Sequence, residues 1–395
     1  MNEYKFVPLG ENVEEMFIGP FGSSLKNECF VDEDEAYCMV YEQKHAIQKT
    51  MDVETRYVNE QKYNELKRFN IHGGDIIVSC RGTIGETFVV PEDAPLGIMH
   101  PSIMKIRLKD GVYDKYYFNL LLKSRLKKHE AEANGSGIKM AISATELGRE
   151  LFPVPTMQEQ QEITDIISGI SDVIEKRKQE LSALDDLIKA RFVEMFGDEN
   201  NSKKWEVVDV EDVAEVQVGV VIKPSQYYTD ESNGVRAFRS LNVGAGFIKD
   251  TDWVYFTQEG HYKNSKSILR ENDLLIVRSG APGTACVVTK KYAGYNAIDI
   301  IIAHPDCKRV NPYYLCTFTN MPHGKKQIDE GTGGAAQQHF NVGKYSKLKL
   351  MLPPKELQDD FADFIEQVDK SKVAVQKALD ETQLLFDSLM QQYFG

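Results

Sequence analysis

The clearest pattern of apolar positions along the chain is a heptad that occurs twice. The first run carries apolar side chains at alternating steps of three and four: Ile163, Ile167, Ile170, Ile174, Leu181, Leu184, Ile188 and Met195. The second run repeats the spacing: Phe361, Ile365, Val368, Val375, Leu379, Phe386, Leu389 and Tyr393. This spacing is typical of a coiled-coil seam. Prolines precede each run and acidic residues open it, which suits a helix start. We therefore predict two helices of roughly 40 residues, each about 60 Å long.

The two helices belong to a larger repeat. Asp75 in GDIIVSCRGTIGETFVV matches Asp273 in NDLLIVRSGAPGTACVV, and the same offset relates the two helical runs. A repeat of this size implies two similar bodies related by pseudo-symmetry. If the relation is a two-fold axis, the helices pair as an antiparallel coiled coil. The alternative is that each helix packs on its own domain.

The segments ahead of the helices have another pattern, in which short apolar runs are separated by Gly and Pro. The predicted strands are Tyr37–Tyr41, Asp75–Cys80, Thr87–Val90, Ser102–Leu108, Asp273–Arg278, Ala285–Thr289 and Ile298–Ala303. A helix is predicted over Tyr116–Glu130. We expect an α+β fold. Two similar domains would occupy 1–154 and 200–352, followed by helical spacers at 155–199 and 353–395.

The net charge is informative only through its distribution along the chain. The formal net charge is −13, of which the two helical segments carry −4 and −5. The remainder is nearly neutral, so the total charge neither supports nor excludes binding to DNA. No apolar run approaches membrane-spanning length, and the start of the chain lacks an apolar signal segment. The six cysteines form no CxxC pair, which favours reduced thiols and a cytoplasmic location.

The search for catalytic motifs yields little. Asn311-Pro312-Tyr313-Tyr314 resembles the Asn-Pro-Pro-Tyr motif of amino-methyltransferases, but the matching place in the first copy has neither the Asn nor the Pro. The glycine loops lack the Lys-Ser/Thr ending of a P-loop, and no metal-binding motif or nucleophile elbow is present. We therefore expect a non-catalytic protein with no cofactor and no bound metal.

Basic, hydroxyl and amide residues do recur near turns in both mixed domains. Arg and Gln can contact base edges in pairs of hydrogen bonds, and Lys or Ser can hold phosphates. The predicted DNA-binding residues are Ser24, Lys26, Lys44, Arg56, Arg81, Lys139, Lys223, Arg236, Arg239, Arg278, Lys325, Gln337 and Gln338. For any one of them, an ordinary solvated side chain is the simpler interpretation, and only the set as a whole predicts a DNA-binding surface.

Both helices also carry apolar residues off the seam. A stripe wider than two positions per heptad exceeds what one partner helix covers. We therefore predict a surface that docks a further protein, formed by Ile166, Val173, Leu187, Phe364, Val373 and Leu385.

The whole arrangement resembles the specificity subunit of type I restriction–modification enzymes. Four features carry the resemblance: the half-chain repeat, the strand followed by a G-x-x-G turn, the glycine loops at Gly135–Gly137 and Gly331–Gly334, and the Pro-rich entry to a helix that ends in Phe-Gly. Asn272 and Pro282 depart from the pattern of the first copy.

The resemblance implies two target recognition domains that each read one half of a bipartite DNA target. It also implies helices that act as spacer and docking surface for methyltransferase subunits, with restriction subunits joining through those. Two other functions remain open: a self-contained DNA methyltransferase or restriction–methylation fusion, and an assembly scaffold that does not bind DNA.

Overall fold

The structure, a computed structural model, describes residues 4–80, 83–136, 143–332 and 340–395, with 128–136 and 331–332 described as backbone only. The chain forms two compact units. Unit 1 comprises Met1–Lys176 with Leu379–Gly395, and unit 2 comprises Arg177–Ala378. Each unit therefore contains the first part of one long helix and the last part of the other.

The strands and helices that begin in unit 1 follow one another along the chain. They are β1 Lys5–Pro8, β2 Val13–Ile18, β3 Cys38–Tyr41, α1 Gln43–Gln48, β4 Arg56–Val58, α2 Glu60–Leu66, β5 Asn70–Ile71, β6 Ile76–Ser79, β7 Thr87–Val89, β8 Gly97–Met99, β9 Ile103–Leu108, α3 Lys115–Ser136, α4 Ala144–Arg149, β10 Leu151–Val154 and α5 Met157–Phe196.

The elements that begin in unit 2 follow a similar plan. They are β11 Glu206–Asp209, β12 Ala214–Val218, β13 Tyr228–Thr229, β14 Val235–Phe238, β15 Val254–Phe256, α6 Gln258–Lys263, β16 Leu274–Val277, β17 Ala285–Val287, β18 Asn296–Ala297, β19 Ile300–Pro305, α7 Pro312–Asn320, α8 Pro322–Thr332, α9 Val342–Ser346, β20 Lys349–Leu352 and α10 Lys355–Phe394.

The two units have corresponding sheets. Unit 1 has a central four-stranded sheet in the order β2-β9-β6-β7, a smaller sheet β4-β3-β8-β5, and the pair β1-β10. Unit 2 has β12-β19-β16-β17, β13-β15-β14-β18, and the pair β11-β20. The central sheets are antiparallel throughout. These sheets with their helices confirm the predicted α+β class.

The central sheet is buried on both faces because successive residues of a strand point to opposite sides. In β6, Ile76 and Val78 pack with Tyr117 of α3, whereas Ile77 packs with Tyr41 of the smaller sheet. A strand covered on both sides reads as a continuous apolar run. That explains why β6 and β16 were the easiest strands to predict.

The long helices also form as the heptads predict. Helices α5 and α10 are each 40 residues long. Thr156 and Glu159 form a capping box at the start of α5: the Thr156 N–H donates to the Glu159 carboxylate (2.9 Å), and the Glu159 N–H donates to the Thr156 hydroxyl (3.3 Å). No helix among the described residues is long and apolar enough to cross a membrane.

Contacts inside unit 2 fix the direction of helix pairing. The Phe196 ring lies 5.3 Å from that of Phe361. The Arg191 guanidinium lies 5.8 Å from the Phe364 ring. Asp185 forms an ion pair with Lys372. Because one residue number falls as the other rises, the helices run antiparallel there, and the alternative of isolated helices is excluded in this unit.

The backbone explains why the second copy can have Asn272 and Pro282 where the first copy has other residues. Gly74 has φ +82° and Asn272 has φ +74°, and their N–H groups donate to Val90 and Val288 respectively. Asn is the residue that best replaces Gly in this left-handed conformation. The turn at Pro282 closes as its counterpart does, since the Gly85 and Gly283 N–H groups each donate across 2.9 Å to a strand-end carbonyl.

Candidate nucleic-acid interface

Three loops of unit 1 lie at the same end of the strands of the central sheet. Strand β2 ends with Ile18 opposite Met104, and β6 ends with Ser79 opposite Ile103. Strand β7 begins where β6 ends. The loop after β2, the turn from β6 to β7 and the segment before β9 are therefore neighbours. We call residues 19–26, 83–86 and 100–102 the loop end of unit 1.

Unit 2 repeats this construction. Strand β12 ends with Val218 opposite Ile301, β16 ends with Val277 opposite Ile300, and β17 begins beside Ile276. We call residues 219–226, 278–284 and 298–299 the loop end of unit 2.

A tight backbone crossing fixes the first loop at each loop end. The Gly19 N–H donates to the Ile103 carbonyl and the Gly219 N–H donates to the Ile300 carbonyl, both at 2.9 Å. A Cβ atom on either glycine would lie 2.3 Å from a carbonyl oxygen, that of His100 or Ala297. Glycine is therefore required where this loop leaves the sheet.

Each loop end also receives a lysine from a following helix. The Lys123 Nζ lies 3.8 Å from the Glu86 carboxylate, to which Lys49 is closer at 3.1 Å. The Lys325 Nζ donates to the Pro282 carbonyl across 3.0 Å. Burial, followed by the neighbouring Lys49, lowers the pKa of Lys123 to about 8. Burial also lowers the pKa of Lys325. A phosphate oxygen placed beside either ammonium would offset this loss of hydration.

The predicted residues of unit 1 divide into two groups. Ser24 and Lys26 lie on the first loop of the loop end, where Lys26 is exposed and its ammonium is 3.9 Å from the Glu28 carboxylate. Lys44 and Arg56 instead share Glu42: the Lys44 ammonium is 3.0 Å and the Arg56 Nε 3.3 Å from its carboxylate. Burial alone would raise the pKa of Glu42, but hydrogen bonds from Arg56 and Lys44 hold it below its ordinary value. Both cations are thus already paired with an anion.

The predicted arginines of unit 2 also have internal partners. Arg236 lies between Glu231 (3.5 Å) and Asp250 (3.7 Å). Arg239 donates to the Asp252 carbonyl. Arg278 pairs with Asp299 inside the loop end, so it positions that loop.

The remaining predicted residues differ in what the structure says of them. Lys223 is exposed on the first loop of the unit 2 loop end. Arg81, Lys139, Gln337 and Gln338 lie outside the described residues, as does part of each glycine loop.

The predictions from sequence omitted four residues that lie in or beside the loop ends. Lys49, which directly follows α1, and Lys123 of α3 approach the Gly turn of unit 1. Phe21 and Ile222 are 86% and 80% exposed, more than any other large apolar side chain among the described residues. They lie two and three residues after Gly19 and Gly219, which correspond in the structure. The sequence repeat does not match these glycines, because they are 200 residues apart whereas Asp75 and Asp273 are 198 apart.

The predicted docking residues of the long helices are mostly exposed. Ile166, Val173, Leu187, Val373 and Leu385 are all accessible, and so is Leu384, which the prediction omitted. Phe364 differs because its ring stacks on Phe361 at 6.5 Å and lies beside Arg191. It contributes to the helix seam more than to an open surface.

Comparison with known proteins adds the following. The family model described as "Type I restriction modification DNA specificity domain" matches this chain twice, at residues 14–184 and 202–382. Each matched range contains one loop end.

Individual relatives match most of this chain at low sequence identity. The type I restriction enzyme MjaVIII specificity subunit of Methanocaldococcus jannaschii is 21% identical over 345 residues, covering 79% of this chain and 78% of its own length. The EcoBI specificity subunit of Escherichia coli is 20% identical over 352 residues, covering 82% and 73%.

Solved structures show the same fold. A chain from a study of complex assembly and conformational transition of the type I R-M system aligns with a TM-score of 0.62 at 15% identity, over 100% of this chain and 98% of that chain. The type I S subunit from M. genitalium aligns with a TM-score of 0.54 at 14% identity, over 100% and 97%.

Proposed function

The chain belongs to the family of type I restriction–modification DNA specificity domains, which it contains twice, and we propose that it reads a bipartite DNA target with its two loop ends. One unit reads each half-site. The observation that carries this proposal is the duplication of the loop end. The same strand ends, the same glycine crossing and a turn approached by a lysine of a later helix occur once in each matched domain.

The chemistry of the loop ends suits DNA. Exposed Lys26 and Lys223, with Ser24, lie on the first loops, and Lys123 and Lys325 lie at the turns. Contacts of this kind to phosphates set position and register, whereas base edges are read by other groups. Most of the net charge of −13 lies on the two helical segments, which carry −4 and −5, away in sequence from these loops.

The chain is a non-catalytic subunit, so methylation and cleavage belong to its partners. The exposed apolar residues of α5 and α10, among them Val173 and Val373, would dock methyltransferase subunits. Restriction subunits would join through those. We place the complex in the cytoplasm, with the cell's DNA.

A domain exchange tests the proposal. The full chain would be assembled with methyltransferase subunits, and methylated positions would be mapped in the DNA that the complex modifies. We place the joints of the exchangeable domains near Val154 and Leu352. Replacing Glu11–Phe152 by the same domain of a relative should change one half of the target only.

The outcomes separate the competing functions. A change in both half-sites would contradict the assignment of one unit to one half-site. Assembly without any DNA preference would favour a scaffold, and methyl transfer by the purified chain alone would favour an enzyme.

A further inference from the structure

The two most exposed large apolar side chains among the described residues stand at corresponding places. Phe21 follows the tight crossing at Gly19, and Ile222 follows the crossing at Gly219. Single exposed apolar residues are common and need no explanation. An exposed large apolar side chain at the same strand end in two units that differ widely elsewhere does need an explanation.

Both side chains project from anchored loops. In unit 1, Pro20 and Leu25 are buried on either side of the tip, and the Ser24 N–H donates to the Phe21 carbonyl across 2.8 Å. In unit 2, the Val220 N–H donates to Ala297 (2.8 Å) and the Gln226 N–H donates to Lys223 (3.1 Å). The loops therefore hold these side chains in water although a buried position would favour each by about 2 kcal/mol.

The neighbouring residues indicate what covers them. Ser24 and Lys26 follow Phe21, and Lys223 follows Ile222, so that on both loops a phosphate-binding group stands beside the apolar tip. Bases offer apolar surface next to phosphates in two forms: the thymine methyl group in the major groove and the face of a base at an opened step.

Resting on the function proposed above, we propose that Phe21 and Ile222 are base-contacting residues. Each places its apolar side chain against the bases of its own half-site while the adjacent lysine or serine contacts phosphate. Base contact by an apolar side chain distinguishes sequences, and phosphate contact does not.

The first test is equilibrium binding by the full chain assembled with its methyltransferase subunits. Phe21→Ala should bind duplex containing the mapped target about tenfold more weakly and bind unrelated duplex unchanged. Phe6→Ala is the matched control, since Phe6 is 53% exposed on β1, outside the loop end. Ile222→Ala and Val207→Ala form the second pair, because Val207 is 49% exposed on β11.

The outcomes distinguish this inference from the proposed function. If the unaltered complex shows no preference for its target, the function itself fails. If it does and Phe21→Ala keeps the full preference, only the inference is overturned. Equal loss on both duplexes, or loss of assembly with the methyltransferase subunits, also overturns it. Melting temperature would verify that each variant is folded.

Two DNA probes identify the surface contacted. Replacing thymines of the half-site by uracil removes the methyl groups, and it should reproduce the loss seen with Phe21→Ala if a methyl is the partner. 2-Aminopurine in the half-site should brighten on binding if a base step is opened, and should not brighten with Phe21→Ala. A loss of affinity that neither probe registers would place the side chain on the backbone and overturn base contact.

Discussion

Two glutamines show how much a single buried side chain can connect. The Gln160 carbonyl oxygen accepts from the Asp114 N–H (2.8 Å), and its amide donates to Val112 and Pro155 (2.9 Å each). Gln358 repeats the pattern, accepting from Asn311 (2.8 Å) and donating to Pro353 (2.8 Å). Each side chain is fully buried. Each therefore joins the start of a long helix to the start of an earlier helix.

Replacing Gln160 by Leu should destabilise unit 1. It leaves the Asp114 N–H and two carbonyl groups unsatisfied, at a cost of about 1–3 kcal/mol for each buried group left without a partner. The measurement is hydrogen exchange of the segment 112–118, which should become faster. Gln161→Leu is the control, because the Gln161 side chain is exposed and pairs with Asp165 on the same helix. Equal exchange in both variants would refute the role of Gln160.

The sequence predicted which residues correspond in the two copies, but it did not predict the partners of those residues. The repeat matched Gln160 to Gln358. The N–H groups that donate to them, those of Asp114 and Asn311, lie 46 and 47 residues away and could not be assigned. The ion pairs of Arg56 with Glu42 and of Arg278 with Asp299 could not be predicted, because each carboxylate comes from another segment of the chain. Pairing of this kind depends on the fold and leaves no local pattern.

At the scale of elements, the strongest periodicities were the easiest to interpret. Both long helices, and the buried strands β6 and β16, follow from patterns that tertiary structure reinforces. Two-residue strands such as β5 and β18 are too short to show a period. The pair β1-β10 joins residues almost a whole domain apart, as with Lys5 opposite Val154, so it was not predictable.

The exposed surface of the long helices can be tested with charged substitutions. Val173 and Val373 are exposed, the latter at 71%, so aspartate at these positions should leave the seam intact. The double variant Val173→Asp, Val373→Asp should nevertheless lose most co-purification with the methyltransferase subunit, since a docked apolar contact would become a buried charge.

Lys178→Asp provides the control for that variant, because Lys178 is an exposed polar residue of α5, the helix that carries Val173. Assembly that is unchanged in the folded double variant would remove this surface from consideration. Phe364, stacked on Phe361, is a poor choice for such a test because its loss would also disturb the seam.

At the scale of the whole molecule, the two Phe-Gly helix ends are fixed in different cores. Phe196 packs against Tyr314 and Phe361 in unit 2, at 4.7 and 5.3 Å between ring centres. Phe394 packs against Tyr117 in unit 1 at 5.5 Å. The C-terminal end of the chain thus completes the core of the N-terminal domain.

This arrangement predicts reciprocal effects of matched substitutions. Phe394→Ala should destabilise unit 1 and Phe196→Ala unit 2, each by about 3–5 kcal/mol for an emptied aromatic site. Hydrogen exchange should accelerate in β6 and α3 for the first variant and in β16 and α7 for the second. If Phe394→Ala loosened only the helix end, the C-terminus would not be part of the unit 1 core.

The length of the long helices should set the gap between half-sites, because each helix begins in one unit and ends in the other. The pairing of Asp185 with Lys372 gives the register for a matched insertion of one heptad after Glu180 and one after Lys377.

Seven residues add about 10 Å of helix, which corresponds to about 3 bp at about 3.4 Å per base pair. Each added base pair also turns the second half-site by about 34° about the duplex, while a heptad nearly preserves the facing of a helix. The gap should therefore lengthen by at most about 3 bp, and both half-sites should stay the same. Mapping of methylated positions would show this directly. A heptad in one helix alone should abolish assembly, because the seam loses its register. An unchanged gap in the double insertion, with the complex intact, would mean that something other than helix length sets the spacing.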